Sequence, residues 1–410
     1  MLGPRTESFP FNNTLMVRID SVKCTGCGAC KNACAYSAIS LIVNREGFLF
    51  PLIDIRRCVD CGLCVSVCPL SHPKQPRIPL KCFAARSKEE AILYNSSSGG
   101  VVSTIARNMV MATHGVVYGC VLDNLVARHV RVDTLDQLHR LTGSKYIQSD
   151  CGNAFAQCAN DLRQGKDVLY IGTPCQISGL KSFLKKDYDN LLTIALICHG
   201  VGSPFVFQKY CREIGRQLTN KIIDFKFRDK RRGWRKSVNV AVLDDGSEIV
   251  LGVYDETDFG RAFISKGCLR KSCYNCVHKE GRHGADIVVG DFWGIERLKT
   301  RFNDDKGVSC VIVYSKKGID AVSIDECDTV AVSYEDILFS NANFSSHQCD
   351  DDEFLGRDSW RSFFMERVEH ESIAEIEREW HKGNRIAKFM RWLRHPLRTI
   401  NGKIRAFAGI

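Results

Sequence analysis

Two stretches near the N-terminus determine how this part of the chain folds: CTGCGACKNAC, residues 24–34, and CVDCGLCVSVCP, residues 58–69. In each stretch three cysteines are separated by two residues, and a fourth follows after three more. Two-residue gaps let three thiolates converge on one cube of iron and sulfide, and the fourth cysteine is carried across to the other cube. The spacing therefore predicts two [4Fe–4S] clusters that pass single electrons.

The same crossover assigns the ligands of each cluster. The first cluster is expected to take Cys24, Cys27, Cys30 and Cys68, and the second Cys58, Cys61, Cys64 and Cys34. A pair of zinc sites is the alternative, but zinc favours two separated pairs of ligands over two runs of four. Over residues 17–70 the chain resembles bacterial two-cluster ferredoxins.

Composition limits the class of protein. The chain has 410 residues, enough for two or three domains, and contains 21 cysteines. No secretory signal opens the sequence and no apolar run is long enough for a membrane span, so we expect a reducing cytoplasm in which clustered cysteines are metal ligands or reactive thiols. The net charge of +10 favours an acidic partner, an anionic cofactor or a lipid surface. No groove-reading motif appears, so no nucleic-acid partner is expected.

Short apolar runs alternate with helical patterns after the cysteine-rich segment, which is typical of an α/β layer. The runs are GVVYGCVL (115–122), DVLYIGTP (167–174), LLTIALIC (191–198), SVNVAVL (237–243), ADIVVGDFW (285–293) and VSCVIVYS (308–315). We predict a multidomain fold of mixed α+β and α/β class, with a small ferredoxin-like two-cluster domain, an α/β core and a helical tail. The expected boundaries are 14–70 for the two-cluster domain, 71–80 for a linker, 81–220 and 221–333 for the two parts of the core, and 334–410 for the basic tail.

A third group of cysteines lies in GCLRKSCYNC, residues 267–276. Cys268, Cys273 and Cys276 have the spacing of a plant-type [2Fe–2S] run and equally supply three ligands of a [4Fe–4S] cluster. Structural zinc is a further alternative. The fourth ligand is either Cys198 or Cys175, because both follow predicted strands at the edge where α/β sheets build their sites.

Two strand-to-helix turns are candidate cofactor loops. NSSSGGVVSTIA (95–106) places Ser and Gly before a helix, where free N–H groups can face a phosphate. In IGTPCQISGL (171–180), Thr173 is a predicted helix cap and Pro174 the first helical residue. An ordinary capped turn is the alternative for the first, and a plain strand-to-helix turn for the second.

These motifs together resemble the family of coenzyme F420 hydrogenase and dehydrogenase beta subunits. The resemblance is carried, in family order, by SSSGGVVSTIA (96–106), GSKYIQSD (143–150), GTPCQISGL (172–180), ICHGVGSP (197–204), CLRKSCYNC (268–276) and ADIVVGDFWGI (285–295). With the ferredoxin segment it covers about residues 20–315. It implies an iron–sulfur oxidoreductase with FAD in the central domain and a third cluster nearby.

The resemblance also implies site residues. The expected flavin contacts are Ser98, Gly99, Gly100, Val101, Lys145, Thr173, Pro174 and Gln176. The expected third cluster takes Cys268, Cys273 and Cys276 with Cys198 or Cys175. Lys145 is a candidate to stabilise negative charge on the reduced flavin, and His199 a candidate proton donor.

The implied function is electron passage between [4Fe–4S] clusters and FAD, with hydride exchange to a deazaflavin-type or other small substrate. The alternatives are a flavin-dependent reductase of an unsaturated sugar or cofactor intermediate linked to polysaccharide biosynthesis, and a non-catalytic electron-transfer subunit. A redox partner protein or ferredoxin is expected in each case.

Two basic segments are candidate contacts. FRDKRRGWRK (227–236) is interpreted either as a site for an acidic group or as a solvated loop. The tail at 385–407 is interpreted either as a helix on the inner face of an anionic membrane or as one docked on the protein itself.

Overall fold

The N-terminal domain is a small antiparallel sheet with two short helices. The computed structural model describes residues 14–16, 22–216, 218–298, 301–322, 325–341 and 351–382. Strands β1 (Thr14–Met16), β2 (Ile39–Val43) and β3 (Leu49–Asp54) pair in the order β1-β3-β2. Helices α1 (Ala29–Ala33) and α2 (Leu63–Ser66) lie within the two cysteine runs.

The same turn opens both helices. Gly28 and Gly62 each follow the second cysteine of a run and precede α1 and α2, with φ of 82° and 71°. This left-handed backbone is costly for residues with a Cβ, so glycine is the residue that lets each run wrap back on itself. The internal repeat seen in the sequence is therefore a repeat of backbone conformation as well.

The remaining strands and helices alternate along the chain. The strands are β4 (Lys81–Ser87), β5 (Val116–Asp123), β6 (Val126–Val132), β7 (Val168–Gly172), β8 (Leu191–Leu196), β9 (Ile222–Asp229), β10 (Val238–Leu243), β11 (Glu248–Val253), β12 (Ile287–Asp291), β13 (Ser309–Val313) and β14 (Cys327–Ala331). The helices are α3 (Glu90–Asn95), α4 (Val101–Thr113), α5 (Leu135–Leu138), α6 (Ala154–Arg163), α7 (Pro174–Leu184), α8 (Pro204–Gly215), α9 (Asp258–Ile264), α10 (Lys316–Val322), α11 (Tyr334–Ser340) and α12 (Asp351–Arg367). Each of the six apolar runs contains a strand, as predicted.

Eight strands form one mixed sheet in the order β14-β4-β13-β12-β8-β7-β5-β6. Its centre, β12-β8-β7-β5, is parallel and its flanks are antiparallel. β9, β10 and β11 make a separate antiparallel sheet. Strands β12 and β13 come from the segment 221–333, so the large sheet continues across the boundary expected at residue 220.

Helices cover both faces of the large sheet. Residues of α4, including Val101, Ile105 and Val110, are buried on one face, and α6 and α7 lie on the other face. Ala29 of α1 belongs to the same core as α6 and α7, so the N-terminal domain packs directly on the sheet's helical layer. A second core is built on aromatic residues of β9, α8, α9 and α12.

One glycine allows this close packing of the two domains. A Cβ on Gly179 of α7 would lie 2.9 Å from the Sγ of Cys27. No larger residue fits at this position without a shift of the helix or the cysteine.

The C-terminal segment is helical in α11, α12 and residues 373–382, as expected from residue 334 onward. The basic stretch 385–407 lies outside the described residues. None of the helices in the described ranges has the length and apolar character to span a bilayer.

Candidate functional site

The two cysteine runs lie next to each other in the N-terminal domain. The thiols of Cys24, Cys27 and Cys68 interact electrostatically with Cys30 or with one another, and Cys64 of the second run also interacts with Cys30 and Cys68. Every cysteine among the described residues is a free thiol. The assignment of these four to one cluster remains a prediction that this grouping supports.

The second set is more exposed than the first. Cys64 interacts with Cys58 and Cys61, and Cys34 packs in the same small apolar cluster as Cys64. The Cys34 Sγ accepts a hydrogen bond from the Ala38 N–H at 3.3 Å. Hydrogen bonds of this kind to the sulfurs are among the factors that set the reduction potential of an iron–sulfur cluster. Cys58 and Cys61 are exposed, whereas Cys30 and Cys68 are buried.

A third set of thiols is assembled from distant loops. Cys175 begins α7, Cys198 follows β8, and Cys273 and Cys276 lie in the loop before β12. All four line one cavity, and their thiols interact electrostatically with one another. Cys175 and Cys198 come together because β7 and β8 are parallel neighbours whose carboxyl ends meet at one edge of the sheet.

Cys268 does not line this cavity, although the sequence analysis grouped it with Cys273 and Cys276 as an expected ligand. Its side chain is fully buried in the second core, among aromatic residues such as Phe207 and Phe263, and it does not line the cavity. The sequence analysis gave Cys198 and Cys175 as alternatives for the fourth ligand of the expected third cluster. The structure brings both to the cavity, so four thiols remain without Cys268.

Burial raises the pKa of these thiols. The pKa of Cys273 is raised to about 11 and that of Cys276 to about 12, with neighbouring thiols adding to the effect. Free thiols in this cavity therefore stay protonated at neutral pH. Metal ligands must be thiolates, so a positive iron–sulfide core is the kind of group that would compensate four of them here. Among the described residues no group of three or more His, Cys, Asp or Glu is placed to hold a single metal ion.

The first and third sets are neighbours. Cys27 lines the cavity of the third set, and its thiol interacts electrostatically with Cys175. Arg270 lines the same cavity and reaches the N-terminal domain, where its Nε donates to the Cys24 carbonyl at 2.9 Å and its Nη1 to the Leu49 carbonyl at 2.9 Å. The three cysteine sets therefore form a continuous series from an exposed one to a buried one.

A second cavity, of about 1010 Å³, adjoins the third cysteine set. Both cavities are lined by Thr173, Gln176, Cys198, His199, Gly200 and Val201. This volume lies at the upper end of the range of about 300–1,000 Å³ for ligand pockets. The large cavity therefore has room for a cofactor of dinucleotide size beside the cysteines.

The N-terminus of α4 faces the large cavity. Ser98, Gly100 and Val101 line it, as the phosphate-loop interpretation requires, and α4 has no side-chain cap. The buried Nζ of Lys230 donates to the Ser98 carbonyl at 2.8 Å, which fixes the loop and adds positive charge near the helix end. Free N–H groups, helix dipole and a lysine together favour an anionic group at this point.

Not every expected flavin contact lies on this wall. The Gly99 N–H donates to the Ser309 Oγ at 3.1 Å, and Gly99 is packed against the backbone of β4 and β13, so it has no donor to offer a phosphate. Pro174 lines the cysteine cavity rather than the large one. Thr173 and Gln176 form a reciprocal cap on α7, which confirms the predicted capped turn.

The two candidate catalytic residues both line the large cavity. The Lys145 Nζ donates to the carbonyls of Leu141 and Thr142 at 3.1 and 2.9 Å, and burial lowers its pKa. Its ammonium is therefore already held by backbone carbonyls. The His199 ring lies beside Phe263 and lines both cavities. Their roles stay predictions.

A buried hydrogen-bond chain runs along the wall between the cavities. The Thr173 hydroxyl donates to Gln176 Oε1 at 3.0 Å, Gln176 Nε2 donates to Ser149 Oγ at 2.8 Å, and Ser149 Oγ lies 3.1 Å from His129 Nδ1. His129 Nε2 lies 3.1 Å from the Ile171 carbonyl, so this nitrogen carries the proton. Burial lowers the pKa of His129 to about 4, which keeps the ring neutral and the chain of donors oriented.

The basic run 227–236 divides into a buried part, with Arg228 and Lys230, and exposed basic residues at 231, 232, 235 and 236. Arg228 is buried, with its Nη1 donating to Asp291 Oδ2 at 3.1 Å and its guanidinium over the Tyr254 ring. Trp234 donates to the other oxygen of Asp291 and stacks on Trp293. The solvated-loop interpretation is therefore wrong for Arg228 and Trp234, and Arg228 also lines the large cavity.

Sequence reasoning missed three side chains of the site: Arg270, Gln148 and His129. Arg270 lies inside the quoted motif CLRKSCYNC and Gln148 inside GSKYIQSD. Gln148 Oε1 accepts from the Leu49 N–H at 2.9 Å and Nε2 donates to the Thr25 carbonyl at 3.4 Å, so it joins the domains beside Arg270. Nothing in the local pattern marks either side chain as buried.

Comparisons with known proteins identify two segments of the chain. Residues 165–333 match the family model for the C-terminal part of the beta subunit of coenzyme F420 hydrogenase/dehydrogenase, and residues 23–71 match the "4Fe-4S dicluster domain". A chain of the F420-reducing [NiFe] hydrogenase complex from Methanosarcina barkeri is 15% identical, with 72% of this chain and 91% of that chain covered and a TM-score of 0.43. No curated protein matches the chain.

The dicluster match confirms the prediction of an iron–sulfur domain at the N-terminus. The chain is thus an iron–sulfur protein of oxidoreductase type. The chain thus joins a segment similar to the C-terminal part of coenzyme F420 hydrogenase/dehydrogenase beta subunits, at residues 165–333, to a 4Fe-4S dicluster domain at residues 23–71.

Proposed function

We propose that this protein is an iron–sulfur flavoprotein that connects a one-electron chain to a hydride-transfer site. The observation that carries the proposal is the position of Cys198, which lines both the cysteine cavity and the large cavity. Iron–sulfur clusters supply one-electron transfer and a flavin supplies two-electron hydride chemistry. Adjacent sites for the two kinds of group are what such coupling needs.

The chain's own residues supply the positions. Cys175, Cys198, Cys273 and Cys276 would hold the third cluster, and the α4 N-terminus with Ser98, Gly100 and Val101 would hold the anionic part of FAD. Thr173 and Gln176 border both cavities, and their reciprocal cap holds this wall rigid. Lys145 and His199, which both line the large cavity, would be the groups that stabilise charge or move a proton at the flavin.

The substrate is proposed as a deazaflavin-type or other small hydride carrier. The large cavity supports this in two ways: it has a volume of about 1010 Å³, and the aromatic side chains of Tyr254 and Trp293 line it together with Arg228. Aromatic faces favour planar ligands, and a guanidinium favours anionic ones. A redox partner protein would deliver or accept electrons at the exposed Cys58 and Cys61.

Anaerobic purification followed by quantitation of iron, sulfide and flavin tests the proposal. We expect about twelve irons, from three cubic clusters, and about one FAD per chain. The flavin should be reducible both by dithionite through the clusters and directly by reduced deazaflavin. Protein with its iron but no flavin would contradict the hydride-transfer function and leave an electron-transfer subunit. About eight irons would remove the third cluster.

A further inference from the structure

The side chain of Arg270 is a buried positive charge between two cysteine sets. It is 1% exposed, and the centre of its guanidinium lies 4.0 Å from the centroid of the Phe50 ring. Its Nε and Nη1 donate to carbonyls of the N-terminal domain, whereas its Nη2 is buried and has no hydrogen-bond partner. Two nitrogens therefore anchor the group, and one remains available beside the cavity that Arg270 lines.

No carboxylate compensates this charge among the described residues. The groups that interact with the guanidinium electrostatically are the thiols of Cys24, Cys273 and Cys175. An unpaired buried guanidinium costs several kcal/mol, so it requires a negative partner. Thiolates around iron–sulfur clusters carry net negative charge and would provide that partner from both sides.

Resting on the function proposed above, we propose that Arg270 is the shared counter-charge of the first and third cysteine sets, and that it raises the reduction potentials of the clusters they hold. A fixed positive charge stabilises the reduced cluster, which carries one more electron, relative to the oxidised one. Net charge and hydrogen bonds to sulfur are among the factors that set cluster potentials. Because Arg270 is buried, water and salt screen its effect much less than that of a surface charge.

Two other cations serve as matched comparisons. Lys279 lines the same cavity and interacts with the thiols of Cys198, Cys273 and Cys276, but it is only partly buried. Arg361 is as well buried as Arg270 and also links the core to the N-terminal domain, yet its guanidinium is paired with Glu46 at 2.6 Å and does not line the cavity. If the loss of any buried arginine changed the reduction potentials, substitutions of Arg270 and of Arg361 would both show the change.

The test is an anaerobic redox titration of the holoprotein, followed by electron paramagnetic resonance, for the variants R270M, K279M and R361M. We expect R270M to shift the midpoint potentials of the third and first clusters to more negative values and K279M to give a smaller shift. R361M should leave both potentials unchanged. Unchanged potentials in R270M with full iron content would overturn the inference. An equal shift in R361M would do the same.

A second measurement needs no variant. Arginine labelled with ¹⁵N in its guanidinium group is incorporated into the unaltered protein, and the reduced clusters are examined by hyperfine spectroscopy. We expect a nitrogen coupling from arginine at the third cluster, and its absence overturns the inference even if R270M does not fold.

Iron content separates the two proposals. About eight irons in the unaltered protein means that the proposed third cluster has failed, and the role of Arg270 toward it fails with it. About twelve irons with no coupling and no shift refutes the role of Arg270 alone.

Discussion

The N-terminal cysteine sets and the third set use the same residue type in opposite ways. The first eight cysteines lie within 45 residues, Cys24 to Cys68, and are brought together by short turns. The third set takes Cys175, Cys198, Cys273 and Cys276 from three separate segments that only the large sheet makes neighbours. Local spacing is therefore a reliable guide to the first region and a misleading one in the second.

Exposure differs between the regions too. Cys58 and Cys61 are at the surface, whereas burial raises the pKa of every thiol in the third set. One end of the series can meet a protein partner and the other is enclosed with the large cavity. The contrast gives four predictions.

The largest effect is expected from removing Cys198. The variant C198A should lose between about one and about four of about twelve irons and the unaltered signal of the third cluster, since one iron of the cube would have no protein ligand. C268A is the matched control and should keep all its iron, because its side chain packs only in the second core. Iron and sulfide assays with electron paramagnetic resonance measure both. Equal loss in the two variants would return Cys268 to the ligand set.

Chelation should distinguish the sets by exposure. With an iron chelator under anaerobic conditions, we expect about four irons to be released in a fast phase from the exposed second set, with the remainder much slower. The fast phase follows from the exposure of Cys58 and Cys61. Absorbance of the iron–chelator complex against time measures the phases. A single phase for all the iron would show that exposure does not separate the sets.

The third set combines residues from distant segments, and the large cavity does so too. A substitution of Lys230 tests whether the contacts between these segments hold the cavity together. Its ammonium donates to the carbonyls of Leu93, Ser98 and Lys306, and K230M would leave these buried acceptors unsatisfied. We expect a loss of about 1–3 kcal/mol in the free energy of unfolding, together with reduced flavin content. Denaturant unfolding and flavin absorbance measure the two effects.

The matched control for Lys230 is K306M. The Lys306 ammonium is exposed and paired with the exposed Glu90, so its loss should change the unfolding free energy by less than about 0.5 kcal/mol. Flavin content equal in K230M and unaltered protein would show that the Ser98 loop does not depend on this lysine.

The smallest effect is expected at the contact between the domains. G179A places a methyl group 2.9 Å from the Cys27 Sγ and should cost about 1–2 kcal/mol. G215A, at the end of α8 with open space around it, should be neutral or slightly stabilising. Thermal or denaturant unfolding compares them. Equal unfolding free energies of the two variants would mean that the contact between the domains at Gly179 accommodates a methyl group without loss of stability.

Much of the fold was predictable because its signals are local. The two cysteine runs, the six apolar strands and the capped turn at Thr173 each depend on spacing or periodicity over fewer than about fifteen residues. The large cavity was partly predictable for the same reason: the turns after β7 and before α4 supply Thr173, Gln176, Gly100 and Val101 to its wall.

The sequence by itself determined the iron–sulfur character of the N-terminal domain, because ligand spacing and glycine turns act within one segment. The tertiary structure alone decided that Cys175 and Cys198 join Cys273 and Cys276, that Cys268 belongs to a core, and that Arg270 lies between two cysteine sets. The physical reason is that strand order and burial are set by the whole sheet. Neither can be read from the spacing of residues that are far apart in the chain.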